Sequence, residues 1–516
     1  MSETARGILI VDLGTQYAQL IARRVREAGS WCEIHPPRTA LEVAARMNLG
    51  GIILSGGPAS VYSDDAPDVP GELLELGVPV LGICYGMQWM CQRLGGSVEG
   101  SGEREFGHTS IEILRPESLL EGIEGRTVVW MSHGDKVTSL PAGFANYAQS
   151  DTCPHAVVGD AARGFFGVQF HPEVSHSVRG SEVLHNFLFD VCQMPGDWSS
   201  ENIATREIAK VREMVGEQGE VVLGLSGGVD SAVAAMIVHE AIGTRLHCIF
   251  VDNGLLRKGE REVVEEEFRA HLGMDLTTVD ATDRFLDDLV GVTDPELKRK
   301  RIGHAFIDVF REEAKRFDHA DFLGQGTLYP DVIESVAVHG GNTATIKSHH
   351  NVGGLPDDLE MELIEPLREL FKDEVRKVGR HLGLDERILM RQPFPGPGLA
   401  VRIVGEVTPA RCALLREADH IVTSEIQGAG AHVGLWQYFA ALLPIKSVGV
   451  MGDARTYEST IALRIVESQD GMTADWAYLD HELLRTISNR IINEVQGINR
   501  VVLDISSKPP STIEWE

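Results

Sequence analysis

One stretch restricts the fold of this chain more than any other: Val221-Val-Leu-Gly-Leu-Ser-Gly-Gly-Val-Asp-Ser231. The apolar run Val221–Leu225 reads as a strand buried on both faces. It breaks into Ser226-Gly227-Gly228, and a helix-like run, Ala232–Ile242, follows. Strand, glycine turn and helix in that order can hold phosphate. Glycines let the backbone approach an anion closely, and the free N–H groups of the helix start point at it. Ser226 and Ser231 add hydroxyl donors. Asp230 is the odd member, because a carboxylate repels phosphate. It fits as the ligand of a divalent metal that bridges the phosphates. The ordinary P-loop pattern, Gly-x-x-x-x-Gly-Lys-[Ser/Thr], is absent from this turn.

Ser226-Gly-Gly-Val-Asp-Ser231 resembles the pyrophosphate loop of the ATP pyrophosphatases. The resemblance implies that Ser226, Gly227, Gly228, Val229, Asp230 and Ser231 hold ATP, with Mg2+ at Asp230. It also implies the chemistry: a substrate oxygen is adenylylated, pyrophosphate leaves, and a nucleophile then displaces AMP. Leu246–Asp252 reads as the next strand and ends at Asn253-Gly254. Asp321–Asp331 reads as another strand running into a glycine-bearing turn. In a doubly wound sheet such strand ends face one ligand.

Upstream, strands at 7–12, 51–55 and 78–83 and a helix near 16–28 give an alternating pattern, hence a parallel α/β sheet. The third strand ends in Gly82-Ile-Cys84-Tyr-Gly86. Glycines on both sides allow a sharp strand-to-helix turn that exposes the central side chain. A helix N-terminus favours a thiolate. In Gly167-Val-Gln-Phe-His171-Pro-Glu173, residues two apart in extended chain share a face. Glu173 can then orient His171 as base to a thiol. Ser55-Gly56-Gly57-Pro58 is a glycine turn able to offer N–H groups to an oxyanion.

These motifs together resemble the class I glutamine amidotransferases over residues 7–192. The resemblance implies Cys84 as nucleophile, His171 as general base and Glu173 as the orienting carboxylate. It places the oxyanion donors on the backbones of Gly56 and Tyr85. It gives Gln88, Ser132, His133 and Asp135 the α-amino and α-carboxylate groups of glutamine. The implied chemistry is hydrolysis of glutamine to glutamate and ammonia through a γ-glutamyl thioester.

Met194–Trp198 reads as a linker, followed by a helix at about 201–218 and a second domain at 199–391. Ile346-Lys-Ser-His-His-Asn-Val-Gly-Gly-Leu-Pro356 has paired glycines and a basic cluster, a segment able to bring cationic groups over leaving phosphates. Pro393-Phe-Pro-Gly-Pro-Gly398 reads as a rigid linker. Beyond it, strand-like pieces at 401–404, 447–451, 461–466 and 500–505 flank helical stretches, one at 473–493. They make an α+β domain at 392–516.

Gly-Gln-Gly-Thr-Leu-Tyr-Pro-Asp331, the Lys347 segment, Arg391-Gln-Pro-Phe-Pro-Gly-Pro-Gly398 and Asp504–Trp515 are similar to segments of the glutamine-hydrolysing GMP synthetases. That resemblance implies xanthosine 5′-monophosphate (XMP) as acceptor, Lys347 on phosphate, and Arg299, Lys508, Ile513 and Glu514 on XMP. It also implies a homodimer through the C-terminal domain. The fold class expected is α/β. Two doubly wound parallel-sheet domains, one flavodoxin-like and one like the adenine-nucleotide hydrolases, precede the smaller α+β domain.

Composition narrows the alternatives. A formal charge of −29 argues against a nucleic-acid binder, whose affinity comes from phosphate neutralisation. No apolar run approaches the ~18 residues that span a bilayer, and the start lacks a signal-peptide core, so a cytoplasmic protein is expected. Seven scattered cysteines without a Cys-x-x-Cys pair argue against a disulfide framework or a structural zinc site. Glutamine-dependent NAD synthetase uses a nitrilase-type glutaminase instead. Asparagine synthetase needs an N-terminal nucleophilic cysteine, where this chain has Ser2. A non-catalytic nucleotide sensor does not need Cys84, His171, Glu173, Asp230 and Lys347 together.

Overall fold

The computed structural model describes residues 6–63, 66–317, 320–332, 361–451, 454–468 and 473–516. Two units emerge, Met1–Asn202 and Ile203–Glu516. The strands of the first are β1 (Arg6–Val11), β2 (Trp31–His35), β3 (Asn48–Leu54), β4 (Val80–Ile83), β5 (Ser97–Ile113), β6 (Arg126–Ser139), β7 (Ala145–Gln149), β8 (Val157–Asp160) and β9 (Phe165–Val168). They form one sheet in the order β2-β1-β3-β4-β9-β8-β7-β5-β6. The half from β2 to β9 is parallel. The half from β9 to β6 is antiparallel. Ile8 to Val11 and Ile52 to Leu54 are buried completely, as a sheet covered on both faces requires. In the antiparallel half β5 and β6 alternate polar and apolar residues, the period of a strand with one solvated face, but their pairing joins segments remote in sequence.

Met194 and Trp198, expected in a linker, are buried in the first unit. The Trp198 N–H donates to Gly29 O at 3.0 Å, and the Arg26 guanidinium lies over the indole at 5.2 Å. The aromatic and thioether side chains dock this stretch.

In the second unit β10 (Glu220–Leu225), β11 (Leu246–Asp252), β12 (Asp275–Asp280), β13 (Ala320–Gly324) and β14 (Glu362–Ile364) form a parallel sheet in the order β12-β11-β10-β13-β14. Strand order reverses between β10 and β13, which opens a crevice at their carboxyl ends. The helix Val229–Ile242 that follows β10 is buried nearly all round, as its uniform apolar sequence requires.

Further on, β15 (Gln437–Met451) and β16 (Ala454–Glu467) pair antiparallel, β17 (Asp475–Trp476) adds to the end of β16, and β18 (Ile498–Asp504) runs parallel to β16. Residues 401–404, expected as a strand, instead leave a tight turn at Gly398–Arg402 with a single bridge from Ile403 to Leu442. The buried Lys298 ammonium takes the carbonyls of Ala400 and Ile403 at 3.3 and 2.8 Å, and so holds the turn. The helix expected from 473 starts at His481, because Asp480 caps it through Glu482 N at 2.8 Å while Asp475–Trp476 pair with β16. One apolar core in this unit joins Val222, Phe285 and Phe310 to Leu399, Leu415 and Ile461. It crosses position 391/392. No disulfide joins any of the seven cysteines. Among the described residues no helix is long and apolar enough to cross a membrane.

Candidate active sites

At the end of β4 the chain turns through Cys84, whose φ of 50° and ψ of −106° are unusual for a residue with a side chain. The glycines beside it explain how the turn is packed. A Cβ on Gly82 would sit 2.5 Å from Met87 N, and one on Gly86 2.3 Å from Leu54 O. Only hydrogen fits at either place. The helix Tyr85–Arg93 starts at once, so Cys84 stands at its N-terminus, 5% exposed.

The segment after β9 brings the partners. His171 Nδ1 lies 2.7 Å from Glu173 Oε1, both buried. Burial pulls the His171 pKa down, but hydrogen bonds to Cys84 and Glu173 and their charges outweigh it and lift it to about 10. Arg24 Nε donates to Glu173 O at 3.0 Å, which holds the carboxylate's backbone. A Cβ on Gly56 would lie 3.1 Å from His171 Cε1 and 3.8 Å from Cys84 Cβ, so the glycine turn after β3 faces the dyad.

Gln169, inside the quoted motif but given no role from sequence, is fully buried and reaches the sulfur. Its Nε2 lies 3.6 Å from Cys84 Sγ. Its Oε1 accepts from Gln88 Nε2 at 3.2 Å, and Gln88 Nε2 also donates to Asp135 O at 2.8 Å. Its position two residues before His171 on an extended segment, hence on the same face, was the available signal. Ser132 O lies 3.7 Å from Cys84 Sγ. The Asp135 carboxylate accepts from Ser60 Oγ at 2.5 Å and Tyr62 OH at 2.9 Å. His133 Nδ1 lies 3.0 Å from Asp135 O. Cys84, His171, Glu173, Gly56, Tyr85, Gln88, Ser132, His133 and Asp135 therefore gather around one thiol.

In the second unit the loop after β10 is closed by its own hydroxyls. Ser231 Oγ accepts from Ser226 N at 3.2 Å and donates to Gly228 O at 3.1 Å. Gly227 has φ of 72°, a conformation that glycine adopts without steric cost. Arg391 Nη1 donates to Gly227 O at 2.9 Å, and its other nitrogen pairs with the buried Glu260 at 2.7 Å. Lys372 Nζ donates to Asp230 Oδ2 at 3.1 Å. Asp230 Oδ1 is buried and has no hydrogen-bond partner among the described residues. A Cβ on Gly326, beyond β13, would lie 3.1 Å from the Asp230 backbone. The loop thus sits at the reversal of strand order. Lys372 and Arg391 come from remote positions that the loop motif does not signal.

Lys347 lies outside the described residues. Arg299 donates to Glu516 O, and Lys298 pairs with the Glu516 side chain. Arg402, fully buried, makes a two-pronged bond to Glu514 at 2.9 and 3.0 Å. Ile513 packs with Phe439, and its carbonyl accepts from Arg464 Nε at 3.3 Å. Lys508 exchanges backbone hydrogen bonds with Ala474.

A buried thiol at a strand-to-helix elbow with a histidine–glutamate pair, and a separate glycine-serine loop at the switch point of a parallel sheet, define a glutamine-dependent, ATP-cleaving ligase. Family models agree part by part: class-I glutamine amidotransferase over residues 9–191, NAD synthase over 203–285, and the GMP synthase C-terminal domain over 424–515. A GMP synthase [glutamine-hydrolyzing] of Brachyspira hyodysenteriae is 55% identical over 99% of both chains. One of Phenylobacterium zucineum is 56% identical over 100% of both. Among solved structures, a putative GMP synthase component from Thermoplasma acidophilum is 30% identical, covering 40% of this chain and 98% of its own, with a TM-score of 0.34. The chain belongs to the glutamine-hydrolysing GMP synthase family.

Proposed function

We propose that GMP is made here from XMP, ATP and glutamine by two reactions, each carried by the residues gathered in one unit. The placement of Cys84 at the elbow, bonded to a His171 that Glu173 holds at 2.7 Å, carries the glutaminase assignment. Cys84 sulfur attacks the carboxamide carbon of glutamine. His171, which carries the proton taken from the thiol, gives it to the departing nitrogen, and ammonia leaves. His171 then accepts a proton from the water that opens the γ-glutamyl thioester, and glutamate is released. Glu173 fixes the imidazole tautomer. The backbone N–H groups of Gly56 and Tyr85 receive the oxyanion. Gln88, Ser132, His133 and Asp135 hold the α-amino and α-carboxylate groups.

Ser226, Gly227, Gly228, Val229, Asp230 and Ser231 cradle the pyrophosphate of ATP, with Lys347 on phosphate. Lys372 adds a cation beside this loop, since it already contacts Asp230. The buried Asp230 Oδ1, without a hydrogen-bond partner among the described residues, is a hard oxygen donor suited to Mg2+. When bound, Mg2+ supplies positive charge to the phosphate oxygens. XMP O2 attacks the α-phosphorus and pyrophosphate leaves. Ammonia then displaces AMP from C2. Arg299, Lys508, Ile513 and Glu514 hold XMP.

Residues 7–192, 199–391 and 392–516 correspond to the glutaminase, the ATP pyrophosphatase and the dimerisation domain. The exposed Val450 and Tyr457 on β15 and β16 support pairing of two cytoplasmic chains through the last of these. The decisive assay is pyrophosphate release with MgATP and ammonium, with and without XMP, glutamine being omitted. XMP-dependent release with GMP formed is the expected result. Release with another acceptor, and none with XMP, would overturn the assignment.

A further inference from the structure

Three donor atoms from stretches far apart in sequence converge beside the glutamine pocket. They are a carboxylate oxygen of Glu105 on β5, Nε2 of His133 on β6, and Sγ of Cys153 between β7 and β8. All lie within 4.8 Å of one another. Glu105 and His133 are cross-strand partners in the β5–β6 ladder. Cys153 is fully buried, and the His133 and Glu105 side chains are 3% and 9% exposed.

Hydrogen bonding fixes which atoms face one another. Nδ1 of His133 lies 3.0 Å from the carbonyl of Asp135. A carbonyl only accepts, so Nδ1 carries the hydrogen. In the neutral ring Nε2 then presents a lone pair, and it faces Glu105 Oε2 at 3.0 Å. Two acceptors at that distance need a cation between them, either a proton or a metal ion. The other Glu105 oxygen is anchored by Ser150 Oγ at 2.7 Å and by Thr152.

We propose that Glu105, His133 and Cys153 form a binding site for a borderline-soft divalent cation, best matched by Zn2+. One oxygen, one imidazole nitrogen and one thiolate leave a fourth tetrahedral position open, a donor set that suits zinc and not Mg2+. The Nδ1–H bond to Asp135 O is the outer contact that orients a metal-binding histidine. Cys153 is a buried free thiol, so coordination exchanges its proton for the ion and releases it to water. Sequence spacing does not signal such a site, since the ligands are residues 105, 133 and 153. The site adjoins the proposed glutamine pocket, because the Asp135 carbonyl that orients His133 also accepts from Gln88.

The test uses the full chain carrying Cys84→Ala, so that the catalytic thiol contributes nothing. After treatment with a chelator, ZnCl2 is titrated calorimetrically, and CdCl2 is titrated by the ultraviolet charge-transfer band of a cadmium thiolate. One tight site with that band is expected. Adding Cys153→Ser should abolish the band and weaken the tight site at least ~10-fold. Glu105→Gln, which keeps the shape of the side chain, should weaken it while retaining the band. The proposal is overturned if Cys84→Ala shows no band, or if its affinity is unchanged by Cys153→Ser. Should Cys153→Ser misfold by circular dichroism, unchanged affinity in Glu105→Gln overturns it equally.

Discussion

Gln169 sets its side-chain nitrogen 3.6 Å from the sulfur of Cys84 while its oxygen takes a hydrogen bond from Gln88 at 3.2 Å. The Cys84 thiol is thus tied to Gln88 and the Asp135 carbonyl by two buried amides. A hydrogen bond to a charged group contributes about 1.5–3 kcal/mol. Gln169→Leu should therefore lower glutaminase kcat/KM by about 10- to 100-fold. GMP formation from added ammonium should be unchanged. Equal loss with both nitrogen sources would mean that Gln169 acts only through the fold.

Cys84→Ala should abolish GMP synthesis driven by glutamine and leave synthesis from ammonium intact. Steady-state GMP formation with each nitrogen source checks this directly. Loss of both activities in a folded variant would refute separate sites.

Asp230→Ala should stop pyrophosphate release with either nitrogen source. Lys372→Met, which removes the cation bonded to Asp230 at 3.1 Å, should slow release by about 100- to 1,000-fold if it acts on developing phosphate charge. A filter assay for radiolabelled pyrophosphate reads both. Normal turnover by Asp230→Ala would discard the assignment of the loop.

His171 is held above its ordinary value of 6.5, at about 10. A group raised on folding stabilises the fold fully below its unfolded pKa, and that support is lost as pH climbs through the folded value. Hydrogen exchange in β9, next to His171, should be slower in the wild type than in Glu173→Gln near pH 6. The gap should close as pH rises from 6.5 to about 10. A gap independent of pH would show that the pair is not held by charge.

Glu514→Gln would leave the buried Arg402 short of its closest anion. Breaking such a pair costs about 3–5 kcal/mol. The melting transition of the second unit should fall accordingly, measured without nucleotide. A change in KM for XMP at unchanged stability would instead place Glu514 on the substrate alone.

The sequence made the two chemical turns legible for the same reason. At Gly82, Gly86 and Gly227 a side chain is excluded by close approach or by a positive φ. Glycine at such points is a local signal. What stayed hidden depends on contacts between remote segments. Lys298, 0% exposed, holds the 398–403 turn from a helix a hundred residues upstream and displaces the strand that local composition indicated. Lys372 and Arg391 reach the Ser226–Ser231 loop from beyond it. β5 and β6 find their partners through long-range pairing, which no window of residues reports. Asp480 is the opposite case. It is a helix cap visible in the sequence, and the expected helix start at 473 passed over it.

Cys84 keeps its left-handed backbone at a conformational cost of about 1–3 kcal/mol. Glycine would adopt the same angles freely, so Cys84→Gly should give a more heat-resistant and catalytically silent glutaminase. A directed-evolution campaign that rewarded thermostability alone would drive the population toward losing the Cys84 thiol. Any such selection has to be coupled to ammonia production if the enzyme is to survive its own improvement.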